Sequence, residues 1–244
     1  MRIFFYLASS VLILFSLSSC SKGEIIKDPQ FGSISITDRT TADINVIQGT
    51  DSKFPLSGKN GSADANVNLV SGKNRFRFYE ADLLVLDTSL FVEAFVNHPY
   101  FMFRPNLNSA LKIVDHQLNN FDKEQQPEAG FIKISLANFS KSLPDKVNIY
   151  VYTTTYIPYA FQQIQVGAFL NTSGSFSAFK KLILGKDQLS KSVDGFTLTI
   201  KDPANNSVLA TSAFTLPVAA NGVYLLYLAD DHKSTPSATI LMSK

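Results

Sequence analysis

From residue 31 onward, apolar side chains recur at every second position. Ile34 and Ile36, Ile44 and Val46, Phe76 and Phe78, then Val147, Ile149 and Val151, then Phe196, Leu198 and Ile200, all alternate with polar or other residues. Period two belongs to a β-strand, whose successive side chains point to opposite faces. Turn signals fall between these runs at Asn60-Gly61, Asp194-Gly195, Asp202-Pro203 and Asn221-Gly222, where glycine, asparagine and proline supply the backbone angles that reverse a chain. The pattern predicts an all-β chain with strands of about five to eight residues. One stretch, Val223-Tyr224-Leu225-Leu226-Tyr227-Leu228, is apolar without interruption and fits a central strand buried on both faces. Tyr100-Phe101-Met102-Phe103 reads as its counterpart earlier in the chain. Leu107, Leu111, Val114 and Leu118 also fit a helical stripe, but the repeat described next favours a strand there.

The chain resembles itself. Ile34-Ser35-Ile36 through Asp43-Ile44-Asn45-Val46 matches Ile134-Ser135-Leu136 through Lys146-Val147-Asn148-Ile149 in order and spacing. Phe76-Arg77-Phe78 through Val85-Leu86-Asp87-Thr88 parallels Phe196-Thr197-Leu198 through Val208-Leu209-Ala210-Thr211, and Ser109 to Ile113 parallels Ser237 to Leu241. Two homologous β-sandwich domains are therefore expected, at 31–117 and 130–244, joined by a polar linker at 118–129 that contains Pro127. Each is near the size of an immunoglobulin-like sandwich, about 100 residues. A single large sandwich or barrel is the alternative.

The strand motifs Ile44-Asn45-Val46-Ile47 and Val147-Asn148-Ile149-Tyr150 resemble the opening strand of the domain-of-unknown-function family four-three-nine-seven. That family consists of tandem immunoglobulin-like modules in secreted and lipid-anchored bacterial proteins. Asparagine stands here where the family usually has aspartate in Val-Asp-Val-Tyr. The resemblance implies a fold and no activity.

The N-terminal segment has a different character. Arg2 is followed by an apolar run from Ile3 to Leu17 broken only by small residues such as Ala8, Ser9 and Ser10, the pattern of a signal peptide. It falls short of the roughly twenty residues that a membrane-spanning helix needs. Leu17-Ser18-Ser19-Cys20 resembles the lipobox of bacterial lipoproteins, which implies cleavage before Cys20 and acylation of its sulfur. The expected mature chain is a lipidated Cys20, a tether over 20–30, and the two sandwiches. Two or three acyl chains would hold it on the membrane essentially permanently. Ser21, rather than aspartate, favours the outer membrane, and Lys22-Gly23-Glu24 leaves periplasmic or surface exposure open.

Cys20 is the only cysteine, so neither an internal disulfide nor a cysteine-based zinc site is available. Removal of residues 1–19 leaves 244 − 19 = 225 residues and takes one positive charge, Arg2, from the formal +2. A nearly neutral chain without a basic run is a poor nucleic-acid partner.

Candidate chemistry is sparse. The sequence has no Gly-x-Ser-x-Gly elbow, no phosphate-binding glycine loop and no His-Glu-x-x-His motif. The three histidines, His98, His116 and His232, fall near expected strand ends or turns, and Asp230, Asp231 and His232 form at most a weak metal-ligand group against a solvated turn. Glu80 and Asp82 are two apart, as in any acidic hairpin end. No catalytic, metal or cofactor site is assigned. More distinctive are the aromatic residues: 20 Phe and 9 Tyr, with Tyr150, Tyr152, Tyr156, Tyr159 and Phe161 close together. With Val147, Ile149 and Val151 on the inner face, Asn148, Tyr150 and Tyr152 point outward as a candidate ligand platform, since exposed tyrosines stack on sugars and anchor protein interfaces. These rings packing under a loop or against the first domain is the alternative. The leading expectation is a non-enzymatic, lipid-anchored envelope protein that binds or adheres to a macromolecule or glycan. A structural subunit of an envelope complex and an enzyme with a loop-built site are the alternatives.

Overall fold

The computed structural model describes residues 28–40, 42–49, 52–57, 63–105, 109–216, 221–230 and 235–244. The lipobox residues Leu17, Ser18, Ser19 and Cys20 lie outside them, as do Leu107, Asp231 and His232. The chain divides into Met1–Gln30, of which only the exposed residues 28–30 are described, and Phe31–Lys244.

Phe31–Lys244 is all-β and holds two sandwiches of the same topology. In the first, strands β1 (Phe31–Asp38), β4 (Ala63–Val70), β7 (Asn97–Phe103) and β8 (Lys112–Asp115) form a sheet in the order β4-β1-β7-β8. The facing sheet has the order β3-β2-β5-β6, from β2 (Asp43–Gln48), β3 (Ser52–Ser57), β5 (Gly72–Glu80) and β6 (Leu83–Val92). The second sandwich repeats this arrangement. Its sheets are β12-β9-β17-β18 and β11-β10-β15-β16, built from β9 (Phe131–Asn138), β10 (Val147–Ile157), β11 (Ala160–Thr172), β12 (Lys180–Ile183), β15 (Gly195–Lys201), β16 (Val208–Thr215), β17 (Val223–Asp230) and β18 (Pro236–Ser243). A two-stranded ribbon of β13 (Gly185–Lys186) and β14 (Ser192–Val193) lies beside β10. In each sandwich the first strand runs parallel to the seventh of its set, Ile36 beside Tyr100 and Leu136 beside Leu226.

The period-two residues supply both cores. Ile34, Ile36, Ile44, Val46, Phe76 and Phe78 are buried together in the first, and Val147, Ile149, Val151, Phe196, Leu198 and Ile200 in the second. The internal repeat holds with one adjustment. Val46 pairs with Phe78, while its counterpart Ile149 pairs with Ile200, so Phe78 corresponds to Ile200 rather than to Leu198. A two-residue slip leaves every side chain on its own face, and the hydrophobic pattern alone does not reveal it.

The two cores are joined by a third. β17 sends Tyr224, Leu226 and Leu228 into its own sandwich, and Val223, Leu225 and Tyr227 into a seam with Phe103, Phe121 and Met242. The rings of Phe103 and Tyr227 lie 5.3 Å apart, and Phe139 packs on both. This is why the run Val223–Leu228 shows no alternation: both of its faces are covered. The connecting segment folds as a 3-10 turn over Leu118–Lys123. Asn119 Nδ2 donates to Ser135 Oγ and to the carbonyl of Ser177, both at 3.0 Å. Phe121 is only 4% exposed, with the Lys244 ammonium 5.0 Å from its ring centroid.

Candidate functional site

The aromatic residues around β10 divide into a sheet face and a projecting tip. On the face, Tyr150 and Tyr152 alternate with buried Ile149, Val151 and Thr153, as period two requires. Both rings are half-buried: the Lys201 ammonium sits 5.0 Å from the Tyr150 centroid, and the Tyr152 hydroxyl donates to Gln165 Oε1 at 3.4 Å. Lys201 thus occupies one side of the Tyr150 ring, and Gln165 engages the Tyr152 hydroxyl.

The tip arises because β10 pairs with β15 only from Asn148 to Thr153, whereas its pairing with β11 continues to Ile157 opposite Ala160. Residues 154–163 therefore extend beyond the sheet as a two-stranded hairpin closed by Pro158 and Tyr159. Proline presets the first central angle of a type II turn, and the second central residue then needs a positive φ near +80°. Tyr159 adopts φ +79°, which costs a non-glycine residue roughly 1–2 kcal/mol, and its side chain is 96% exposed. Ile157 and Phe161 are also exposed. The Phe161 ring meets Tyr156 edge-on at 5.2 Å, and this contact fixes the hairpin's sides.

A second turn ends at the same level. The Lys186 N–H donates to Thr155 Oγ1 at 3.1 Å, and a Cβ added at Gly185 would come within 2.0 Å of the Thr154 carbonyl oxygen. β13 thus runs beside β10 in the same direction. Its turn at 187–191 is tied by Asp187 Oδ1, which accepts from the N–H groups of Leu189 and Lys191 at 2.8 Å, and exposes Leu189. Tyr156, Ile157, Tyr159 and Phe161 make the apolar end of the hairpin, and the turn between β13 and β14, joined to β10 at Thr155, exposes Leu189 between exposed Lys186 and Lys191. Sequence reasoning misses Ile157 and Leu189. Pro158-Tyr159 between two alternating runs signals the hairpin, but nothing local links Leu189 to it across thirty residues, counted as 189 − 159.

The remaining candidates are placed as follows. Both Asp230 oxygens are occupied. Ser140 and Ser142 hydroxyls donate to Oδ1, and the N–H groups of Lys141 and Ser142 to Oδ2 at 2.8 and 3.1 Å. Burial pushes the Asp230 carboxyl up, but these bonds outweigh it and hold it below the usual range. The residue locks the loop after β9. Glu80 pairs with Arg104 at 2.7 Å, and Asp82 sits in a turn at φ +68°. His98 and His116 meet with ring centroids 4.7 Å apart, His98 Nε2 lying 4.0 Å from Asp115. Among the described residues, no three or more His, Cys, Asp or Glu converge to hold a metal ion. Open grooves of about 300 and 420 Å³ share Ser173, one lined by Phe176 and Lys180, the other by Phe139 and Asp145.

The described residues define a tandem β-sandwich protein with an aromatic tip on its second sandwich. No family model and no curated protein matches the chain. Solved structures to which it is similar include the Bacillus anthracis TIE protein, at 10% identity over 85% of this chain and TM-score 0.25. The chain spans only 34% of that protein's length. The family 41 carbohydrate-binding modules from streptococcal virulence factors align at 9% identity over 85% of this chain and 96% of theirs, TM-score 0.29. The tip fimbrial protein Mfa3 from Porphyromonas gingivalis aligns at 10% identity over 86% of this chain and 99% of its own, TM-score 0.26. Likenesses this distant assign no ligand.

Proposed function

We propose that the protein is a lipid-anchored, non-enzymatic component of a bacterial envelope that binds a glycan or macromolecular ligand through the paired turns of its second sandwich. The observation that carries this reading is Tyr159, fully presented on a proline-preset turn at a backbone cost that packing does not require. Strain of this kind persists where a side chain must be displayed, and a rigid exposed tyrosine offers a large contact area with little entropy to lose. The anchor rests on the apolar run Ile3–Leu17 and on Leu17-Ser18-Ser19-Cys20. Incorporation of labelled palmitate that is abolished in Cys20→Ala tests it.

The binding half is tested with the lipid-anchored protein on cells, screened against a glycan array and against isolated envelope proteins. Truncating a central aromatic anchor typically costs about 2 kcal/mol or more, roughly thirtyfold in affinity. Tyr159→Ser combined with Phe161→Ser should therefore weaken a detected ligand about thirtyfold, while loss of the Tyr156–Phe161 contact costs at most about 1 kcal/mol of stability. Undiminished binding by this double variant would exclude the hairpin as the site.

A further inference from the structure

A second exposed apolar group lies at the other sandwich, where the chain enters it. β1 opens at Phe31, paired with Val70 at the end of β4. The turn between β6 and β7 is stitched to the same place: the Phe95 N–H donates to the Phe31 carbonyl at 2.8 Å, and the Ser33 N–H to the Val96 carbonyl at 3.0 Å. Gly32 permits this approach, since a Cβ there would fall 1.8 Å from the Glu93 carbonyl oxygen. Phe91, two residues before that turn, has its backbone held by the Tyr100 hydroxyl, which accepts from its N–H at 3.0 Å and donates to its carbonyl at 2.9 Å. One end of the sandwich thus carries a collar of Phe31, Val70, Phe91, Phe95 and Val96, all exposed, with Phe31 at 55%, Phe91 at 52% and Phe95 at 82%. Phe95 is held outward at φ +63°, a conformation that aromatic residues rarely adopt.

Large apolar side chains exposed together around one end of a domain mark something that covers them. What covers this one follows from the chain itself. Phe31 is eleven residues after Cys20, counted as 31 − 20. Eleven residues span at most about 40 Å when extended and about 18 Å on average when flexible. An acyl chain on Cys20 therefore holds the collar within about 40 Å of the bilayer, and about 18 Å from it on average when the segment is flexible. The opposite ends of β1 and β7 meet the second sandwich, through Phe103 against Tyr227 and Phe139. Exposed Lys73, directly opposite Phe91, suits the phosphate level, where lysine and aromatic side chains are at home. Glu93 is exposed in the same turn.

We infer that Phe31, Val70, Phe91, Phe95 and Val96 seat the first sandwich in the lipid–water interface of the membrane that holds the acylated Cys20, and so stand the second sandwich away from that membrane. The inference rests on the lipid-anchor reading. The chain has no tryptophan, so Phe95→Trp gives a single reporter. The full-length, processed protein is reconstituted in vesicles of phosphatidylethanolamine and phosphatidylglycerol in equal parts, and its acyl chains are checked by mass. The indole emission of the Phe95→Trp variant should shift to the blue and lose most of its intensity with brominated lipids, while aqueous acrylamide has little effect. Phe31→Trp, outside the strained turn, should give the same result. An acylated protein whose indole remains open to acrylamide and untouched by brominated lipid in both variants overturns the seating and leaves the anchor intact. An indole shielded from both quenchers overturns it too, and points to a second copy or to residues 21–30 as the cover. An unacylated protein overturns the anchor and the seating together.

Discussion

Phe121 tests whether the segment between the sandwiches is a packed connector or a free linker. Its polar neighbours suggest a linker, yet its ring is 4% exposed, 6.5 Å from Phe179 and beneath the Lys244 ammonium. Phe121→Ala removes a buried aromatic side chain, which costs about 3–5 kcal/mol where the site cannot collapse. The ring lies in a short 3-10 turn rather than in a sheet, so some relaxation is available and the lower end, about 3 kcal/mol, is expected. The lost ammonium contact is a minor part of that, about 0.5–1 kcal/mol at a solvent-accessible position. For a unit of this size the melting temperature should fall by roughly 6–12 °C and the urea midpoint by about 1 M. Urea unfolding followed by circular dichroism, with exposed Lys123→Ala as the matched control, measures the effect. The control should stay within about 0.5 kcal/mol. A loss below about 1 kcal/mol for Phe121→Ala would refute the packed connector, and with it the view that the seam couples the two sandwiches.

Two further outcomes follow from the same geometry. Tyr159→Gly relieves a positive φ and should raise stability by roughly 1 kcal/mol while weakening ligand binding by up to about thirtyfold; a variant that is destabilised would show that the turn is not strained. Burial first, and then the neighbouring His116, hold the His98 imidazole below its usual value of 6.5, while Asp115 and Glu93 pull it up less. The folded state therefore takes up this proton at lower pH than the unfolded chain does. The resulting stability is complete above about pH 6.5 and is lost as pH falls from there through the folded-state value. Denaturation midpoints of native protein and His98→Gln, compared between pH 7.5 and 5, should converge toward acid; parallel curves would rule out His98 as the source.

Some of this protein is readable one residue at a time. Period-two alternation identified the inner face of every strand it marked, because a strand can bury only alternate side chains in a sandwich core. The repeated motifs likewise implied two sandwiches rather than one, and the eight-strand correspondence of the sheets agrees. The outer faces were not readable in that way. Tyr150 and Tyr159 read together as one outward tyrosine group, yet one lies beneath Lys201 and the other is 96% exposed, because what covers an outward face is another part of the fold. Phe121, amid polar residues, carries no periodic signal for its burial. The tip needed the early end of β15, which frees residues 154–163 from the sheet, and the parallel run of β13 that brings Leu189 alongside. The collar needed the ends of three strands and a turn that lie as far apart as Phe31 and Val96. Alternation is a local consequence of backbone geometry, so the sequence by itself determined what faces inward; contact between distant outward faces depends on how strands are ordered and where they stop, and only the tertiary structure decided that.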